Sequence, residues 1–278
     1  MKILSLFDGI SCARVAFDRA GIPVDTYWAS EIDKYAIQVS QKNHPDINEI
    51  GDVKGLTTFP TYIKGGVDLL IGGSPCQDLS IAKANRQGLK GKRSGLFYEY
   101  VRILKEAKPK FFVLENVASM PKEAKATITE ELWGIEPVMI NAALVSAQNR
   151  KRLFWVGKLA GDRYEQVDIP LPEDRGIMLR DILESGEEEV KPVALRNRGQ
   201  GKKPEYNKTG RANSLTTVQT DSMVEENEVI RKLTPIECER LQGLPDNYTE
   251  GVSNTQRYKA LGNAFNVDVI AHILKHLK

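Results

Sequence analysis

Cysteine is scarce. Cys12, Cys76 and Cys238 are the only three in 278 residues, an odd number set far apart with no C-x-x-C. That pattern argues against a disulfide framework or a zinc knuckle and leaves reduced thiols, one of which is free to be reactive. No apolar run approaches the length that spans a bilayer, and the N-terminal segment meets a carboxylate at Asp8 before a secretory stretch can form. The expectation is a cytoplasmic protein without a membrane partner. No charge sign dominates: 39 Lys and Arg against 37 Asp and Glu leave +2, so any nucleic-acid surface has to be local. There is no internal repeat, no low-complexity segment and no G-x-G-x-x-G. What is present is 41% hydrophobic and 27% charged residues, values that rule out disorder and fit one large domain or a main domain with a smaller second one.

Short apolar runs alternate with helical spacing through the first half. Lys2 to Phe7 reads as a buried strand, Asp8 to Ser11 as a turn, and Ala13, Ala16, Phe17 and Ala20 as one face of a helix ending at Gly21. Thr26 to Ser30 predicts a second strand, ending at Glu31, and Tyr35 to Gln41 a helix. Val67 to Ile71 predicts a third strand, Leu96, Phe97, Tyr100, Val101 and Leu104 an amphipathic helix, and Phe111 to Leu114 another buried strand. Strands this apolar, alternating with helices, predict an α/β fold with a doubly wound, mostly parallel sheet covered on both faces. Pro137 to Leu144 and Arg152 to Lys158 predict an antiparallel hairpin at its edge.

The composition turns polar after about Gly161, and helical signals return at Thr234-Pro235-Ile236-Glu237, an N-cap with proline in the first turn. A main domain from residues 1–160 and 233–278 is expected, with a small domain at 161–232. Within the latter, Arg196, Arg198, Lys202, Lys203, Lys208 and Arg211 face the single acid Glu205, a local +5 that leaves −3 for the rest of the chain.

In an open parallel sheet, ligands bind beyond the carboxyl ends of the strands. The turn Phe7-Asp8-Gly9-Ile10-Ser11 suits a nucleotide-like ligand. Glu31, at the next strand end, stands where an acid accepts both ribose hydroxyls, and Asp52 could accept an exocyclic amine. Singly, such carboxylates are most often helix caps or solvated charges. Gly72-Gly73-Ser74-Pro75-Cys76-Gln77 is sharper, because it sets a thiol beyond a buried strand among Gly, Pro and Gln instead of within the apolar run. Cys12 and Cys238 fall in helical patterns and read as core. Glu115-Asn116 ends another strand on the same rim, and a thiol beside a carboxylic acid suits addition to an electron-poor ring. Gln148, Arg150 and Arg152 alternate, so all three point one way. A row of this kind is usually a solvated face, but beside a cysteine it could stabilise a thiolate or hold a base oxygen.

The order Phe7-x-Gly9, Glu31, Asp52, Pro75-Cys76-Gln77, Glu115-Asn116-Val117, Gln148-x-Arg150-x-Arg152 and Gly262-Asn263-Ala264 resembles the signature of the cytosine-5 DNA methyltransferase family. The resemblance spans residues 3–275 apart from about 161–232, the region which that family varies. Leu6 to Ile10, Pro75 to Ile81 and Pro137 to Ile140 are similar to the de novo subgroup of animal enzymes, whereas the short chain looks prokaryotic or phage-derived.

The resemblance implies transfer of the methyl group of S-adenosyl-L-methionine to C5 of a flipped cytosine in double-stranded DNA, leaving S-adenosyl-L-homocysteine. Cys76 would attack C6, Glu115 would hold N3 and the exocyclic amine, and Arg152 the base oxygen. Phe7, Asp8, Gly9, Ile10, Glu31, Ile32, Asp52, Val53, Pro75, Leu96, Asn263, Ala264 and Phe265 would form the cofactor pocket. Gln77, Ser80, Arg86, Lys90, Arg93 and Arg150 would meet DNA, together with the six bases of the 196–211 segment in a target-recognition domain. No metal is implied, and His272 and His276, although spaced i, i+4, lack further ligands nearby.

Ser11 and Cys12 stand where many members carry glycine, and Phe265 where a small aliphatic residue is common. Two alternatives stay open: a tRNA methyltransferase of the same family, whose Cys-Phe-Thr tripeptide is absent here, and a catalytically silent DNA-binding paralogue, which would tend to lose the Pro-Cys or Glu-Asn-Val residues that this chain keeps.

Overall fold

The structure is a computed structural model, and it describes residues 1–56, 63, 66–74, 96–197 and 201–278. At its centre β1 (Lys2–Leu6) pairs in parallel with β2 (Thr26–Ser30) on one side and β4 (Leu69–Gly73) on the other. Outside these lie β3 (Asn48–Glu49) and β5 (Phe111–Val117), also parallel, so five strands run in the order 3-2-1-4-5. The sheet then turns antiparallel. β8 (Lys151–Ala160) lies against β5, and β6 (Val138–Asn141) and β9 (Arg163–Gln166) share its outer edge. The expected edge hairpin is therefore β6 with β8, and the fold is α/β with a largely parallel sheet.

Strand periodicity explains the two cores. Ile3, Ile71 and Val113 point to one face, where α1 (Cys12–Ala20), α2 (Lys34–Asn43) and α7 (Val267–Leu274) pack. Their neighbours Leu4, Leu70 and Phe112 point to the other face, against α3 (Leu96–Ala107) and α4 (Lys122–Glu131). Helix α3 buries Phe97, Tyr100, Val101 and Leu104, the stripe its i, i+3, i+4, i+7 spacing predicts. Both ends of the chain build one core, because α7 lies on α1. Thr234 opens α5 (Pro235–Gln242) with a capping box closed by Glu237, and Gly243, at φ +75°, ends it.

A second sheet, all antiparallel, has the order β11 (Lys202–Tyr206), β10 (Val190–Asn197), β13 (Met223–Glu226), β14 (Val229–Lys232). It begins later than the composition change suggests. Residues just after Gly161 form β9 in the main sheet, and Ile169, Leu179 and Leu183 are buried in the core that holds α1 and α7. The polar composition there belongs to a strap lying on the main body. A two-stranded parallel ladder, β7 (Gln148–Asn149) with β12 (Ala212–Asn213), ties the second half of the chain to the root of β8.

Candidate active site

The carboxyl ends of β1, β2, β4 and β5 open into one cavity of about 300 Å³. It lies where successive connections diverge to opposite faces of the sheet, the place an open α/β sheet reserves for its ligand. Phe7, Asp8 and Gly9 line it from β1, Glu31, Ile32 and Asp33 from β2, and Asp52 and Val53 from the segment after β3. Gly73, Ser74 and Glu115 come from β4 and β5, and Leu96 from the start of α3. Asn263, Ala264 and Phe265 close it from the end of α6 (Asn254–Asn263).

The turn after β1 is held in an uncommon shape. Phe7, Gly9 and Ser11 have φ of +57°, +63° and +59°, and two of these residues carry side chains that disfavour such angles. Glu31 braces it. One oxygen of its carboxylate accepts the Gly9 N–H at 2.8 Å, and the other accepts those of Ile32 and Asp33 at 2.7 and 2.9 Å. Asp8 is 6% exposed and accepts hydroxyl hydrogen bonds from Tyr27, at 2.6 Å, and from Ser11. Burial pushes its carboxyl above the usual aspartate range. Asp52 caps the short helix Val53–Gly55 through the Lys54 N–H.

Ile10 does not join the cavity. It is 1% exposed and packs in the core between sheet and helices, because the turn swings it inward, and its carbonyl accepts the Tyr248 hydroxyl.

On the opposite wall Glu115 and Arg152 form an ion pair of 3.0 Å between Oε1 and Nε, both largely buried. The β5 and β8 ladder sets Arg152 opposite Val117, two residues from Glu115 and on the same face, so the pair meets diagonally. Gly73 faces them with no side chain of its own: a Cβ there would stand 2.9 Å from Phe265 and 3.1 Å from Glu115 Oε2. Behind the pair, buried Asn116 donates through Nδ2 to Ser74 Oγ at 3.2 Å and accepts the Val117 N–H at 2.8 Å. This amide fastens the end of β4, which leads to Cys76, to the end of β5. Pro75, Cys76, Gln77, Ser80, Arg86, Lys90, Arg93 and Arg198 lie outside the described residues.

Gln148, Arg150 and Arg152 do share one side, but only Arg152 meets Glu115. Arg150 is 3% exposed, and its guanidinium donates to the carbonyls of Leu215 and Ala264, both at 2.8 Å. These bonds hold the guanidinium on the wall of the cavity that Arg152 also lines, and its expected contact with DNA stays a proposal. The side chain joins β8 to the end of α6. Gln148, fully buried, likewise donates to the Leu241 carbonyl.

The basic segment is less charged than its composition. Arg196 pairs with Glu205 at 3.2 Å and lies 3.8 Å from Asp221, and Arg211 pairs with Asp174 at 2.6 Å. Lys202, Lys203 and Lys208 remain exposed. Gln256 and Lys259 on α6 also line the cavity, with Lys259 Nζ 2.5 Å from Asp33 Oδ2 across its rim. Nothing in their sequence setting marks them, since they sit at ordinary positions of a polar helix. Among the described residues, no group of three or more His, Cys, Asp or Glu could hold a metal ion, and no helix is long and apolar enough to cross a membrane.

The family profile for C-5 cytosine-specific DNA methylase matches residues 1–192 and 180–278. The Type II methyltransferase M1.ScrFI of Lactococcus lactis subsp. cremoris is 32% identical over 99% of this chain and 77% of its own length. M.NlaX of Neisseria lactamica, also a Type II methyltransferase, is 31% identical over 100% of this chain and 96% of its own. In fold, a DNMT2 mutant from Spodoptera frugiperda superposes with a TM-score of 0.72, at 21% identity, covering 99% of both chains. The chain thus belongs to the C-5 cytosine-specific DNA methylases, enzymes that use S-adenosylmethionine to methylate cytosine in DNA at C5.

Proposed function

We propose that the wall formed by Glu115 and Arg152 receives a cytosine turned out of double-stranded DNA, and that Cys76 is the nucleophile that adds to it. The observation that carries this reading is the 3.0 Å Glu115–Arg152 pair, which lines the same cavity as the end of β4, two residues before the Pro75-Cys76 step. A carboxyl group and a guanidinium side by side match the edge of cytosine, whose N3 and exocyclic amine face the acid and whose O2 faces the base. Extrusion is needed because C5 and C6 cannot be reached from both ring faces within a stack.

The cavity fits the cofactor. Glu31 keeps acceptor capacity for ribose hydroxyls beyond the N–H groups it holds, Asp52 stands at the far end for an amine, and Phe7 and Val53 offer apolar faces. S-adenosylmethionine supplies an electrophilic methyl group. The protein's part is to add the Cys76 thiolate to C6, which raises electron density at C5, while Glu115 holds N3. Once C5 carries the methyl group, loss of its proton re-forms the C5–C6 double bond and expels the thiolate.

Domain roles follow the same reading. Residues 190–232 act as the target-recognition unit, with Lys202, Lys203 and Lys208 toward phosphates. We infer a cytoplasmic enzyme of a prokaryote or phage; a restriction-modification role is drawn from the bacterial Type II relatives, beside which stands an orphan methyltransferase of Bacillus phage SPR.

Transfer of tritium from labelled cofactor to duplex DNA and to tRNA tests the substrate, and label in tRNA alone would sink the DNA reading. Cys76→Ala should abolish methylation while largely sparing DNA binding. Unchanged turnover would remove Cys76 from its role.

A further inference from the structure

We propose that Tyr27 and Ser11 are positioning residues of the cofactor pocket, acting through Asp8, whose carboxylate they hold as an acceptor for the cationic part of S-adenosylmethionine. This rests on the reading of Asp8 as a cofactor contact and names what keeps that contact in place.

Asp8 lines the cavity while being 6% exposed, so its carboxylate depends on protein donors. Both are neutral hydroxyls, one on each oxygen: Tyr27 from the adjoining strand β2, at 2.6 Å, and Ser11 from the start of α1. No lysine or arginine among the described residues is ion-paired with it. The titratable groups facing it are Tyr27 on β2, Glu31 beyond β2, Glu49 on β3, Cys12 on α1 and Tyr248 after α5. None is cationic. A salt bridge would fix the same carboxylate but cancel its charge. Hydroxyl donors fix it and leave the charge directed at the ligand, whose sulfonium and ammonium groups outnumber its one carboxylate.

Ser11 gives the sharper argument. Its φ of +59° is a conformation glycine adopts freely and serine does not. Its hydroxyl also meets Ser40 Oγ on α2, at 2.6 Å. A side chain tolerated at a glycine position, with its one polar atom spent on Asp8 and Ser40, is there for that hydroxyl.

The test compares Tyr27→Phe, Ser11→Gly and Asp8→Asn by calorimetric titration with S-adenosylmethionine and by the pH dependence of kcat/KM for it. Tyr27→Phe and Ser11→Gly should each weaken binding about tenfold, the value of one hydrogen bond to a charged group, with kcat at saturating cofactor held. Each should also move the acid limb of the profile to higher pH, since removing a donor favours the protonated acid. A purely structural serine predicts no weakening for Ser11→Gly, because glycine relieves the strained φ and binding stays at the parental strength. That result, with Asp8→Asn weakened, overturns the positioning role. If Asp8→Asn binds as the parent does, the reading of Asp8 as a contact fails first. Should Tyr27→Phe not fold, Ser11→Gly decides alone.

Discussion

Glu237 is fully buried, and its carboxylate joins both chain segments that connect the small sheet to the main body. Oε1 accepts the Glu184 N–H at 3.1 Å from the segment that runs into β10, and Arg231 Nη2 at 2.8 Å from β14, which leads back. Oε2 accepts Arg231 Nη1 and the Thr234 N–H, both at 2.8 Å. Arg231 in turn grips Glu226 on β13 through two bonds of 2.8 Å. Glu237→Gln preserves shape but sets an amide donor against donors and removes the buried countercharge of Arg231. Breaking such a pair costs about 3–5 kcal/mol. At about 2.1 cal/mol/K per residue, 278 residues unfold with about 0.6 kcal/mol/K, so cooperative melting should fall by about 5–9 °C. Calorimetric melting of the full chain measures this. Glu237 lies off the cofactor cavity, so the affinity for S-adenosylmethionine should hold while KM for DNA rises. A melting point within about 1 °C of the parent would refute the clamp.

Three further outcomes are expected. Gly73→Ala places a methyl group 2.9 Å from Phe265 and 3.1 Å from Glu115, and methyl transfer to DNA should fall about a hundredfold as the acid is displaced, with the fold intact by circular dichroism. Wild-type turnover in that variant would show that the exact seat of Glu115 does not matter. Burial and the nearby Asp8 push Glu49 up to about 7. The folded state therefore binds a proton more strongly than the unfolded chain, and stability declines as pH rises from the usual glutamate range, about 4.3, toward 7. Glu49→Gln should flatten that slope in melting scans across pH, and an unaltered slope would assign it to another group. Replacing Lys202, Lys203 and Lys208 together by alanine should lower the slope of log affinity for duplex DNA against log salt by about 0.9 for each phosphate these lysines neutralise. No change would turn the small sheet away from the duplex.

The parts of this fold that are legible in the sequence are those where one local signal coincides with the global need. β1, β2, β4 and β5 are runs of apolar residues hidden on both faces, so their composition alone marks them. The Thr234 to Glu237 box declares a helix start within four residues. β9 escapes such a reading because its Arg-Tyr-Glu-Gln sequence has only Tyr164 to bury, and its strand character comes from the free edge of β8. At Arg150, alternation indicates direction and says nothing of what waits there. The carbonyls of Leu215 and Ala264, 65 and 114 residues away, are brought to it by the fold.

By itself, the sequence determined the chemistry and the order in which it is delivered: a thiol beyond one strand, an acid beyond the next, acids at the ends of two more, and a parallel sheet to bring those ends together. Side-chain identity and apolar periodicity are local properties, and both survive in a one-dimensional reading. Partnership comes from the folded arrangement. Whether Arg152 or Arg150 pairs with Glu115, that Tyr27 and Ser11 hold Asp8, and that Glu237 gathers both connections to the small sheet all depend on distances of a few ångströms. Such distances arise between residues far apart in the chain, where burial removes competing water and leaves each polar group to the partner that the packing supplies.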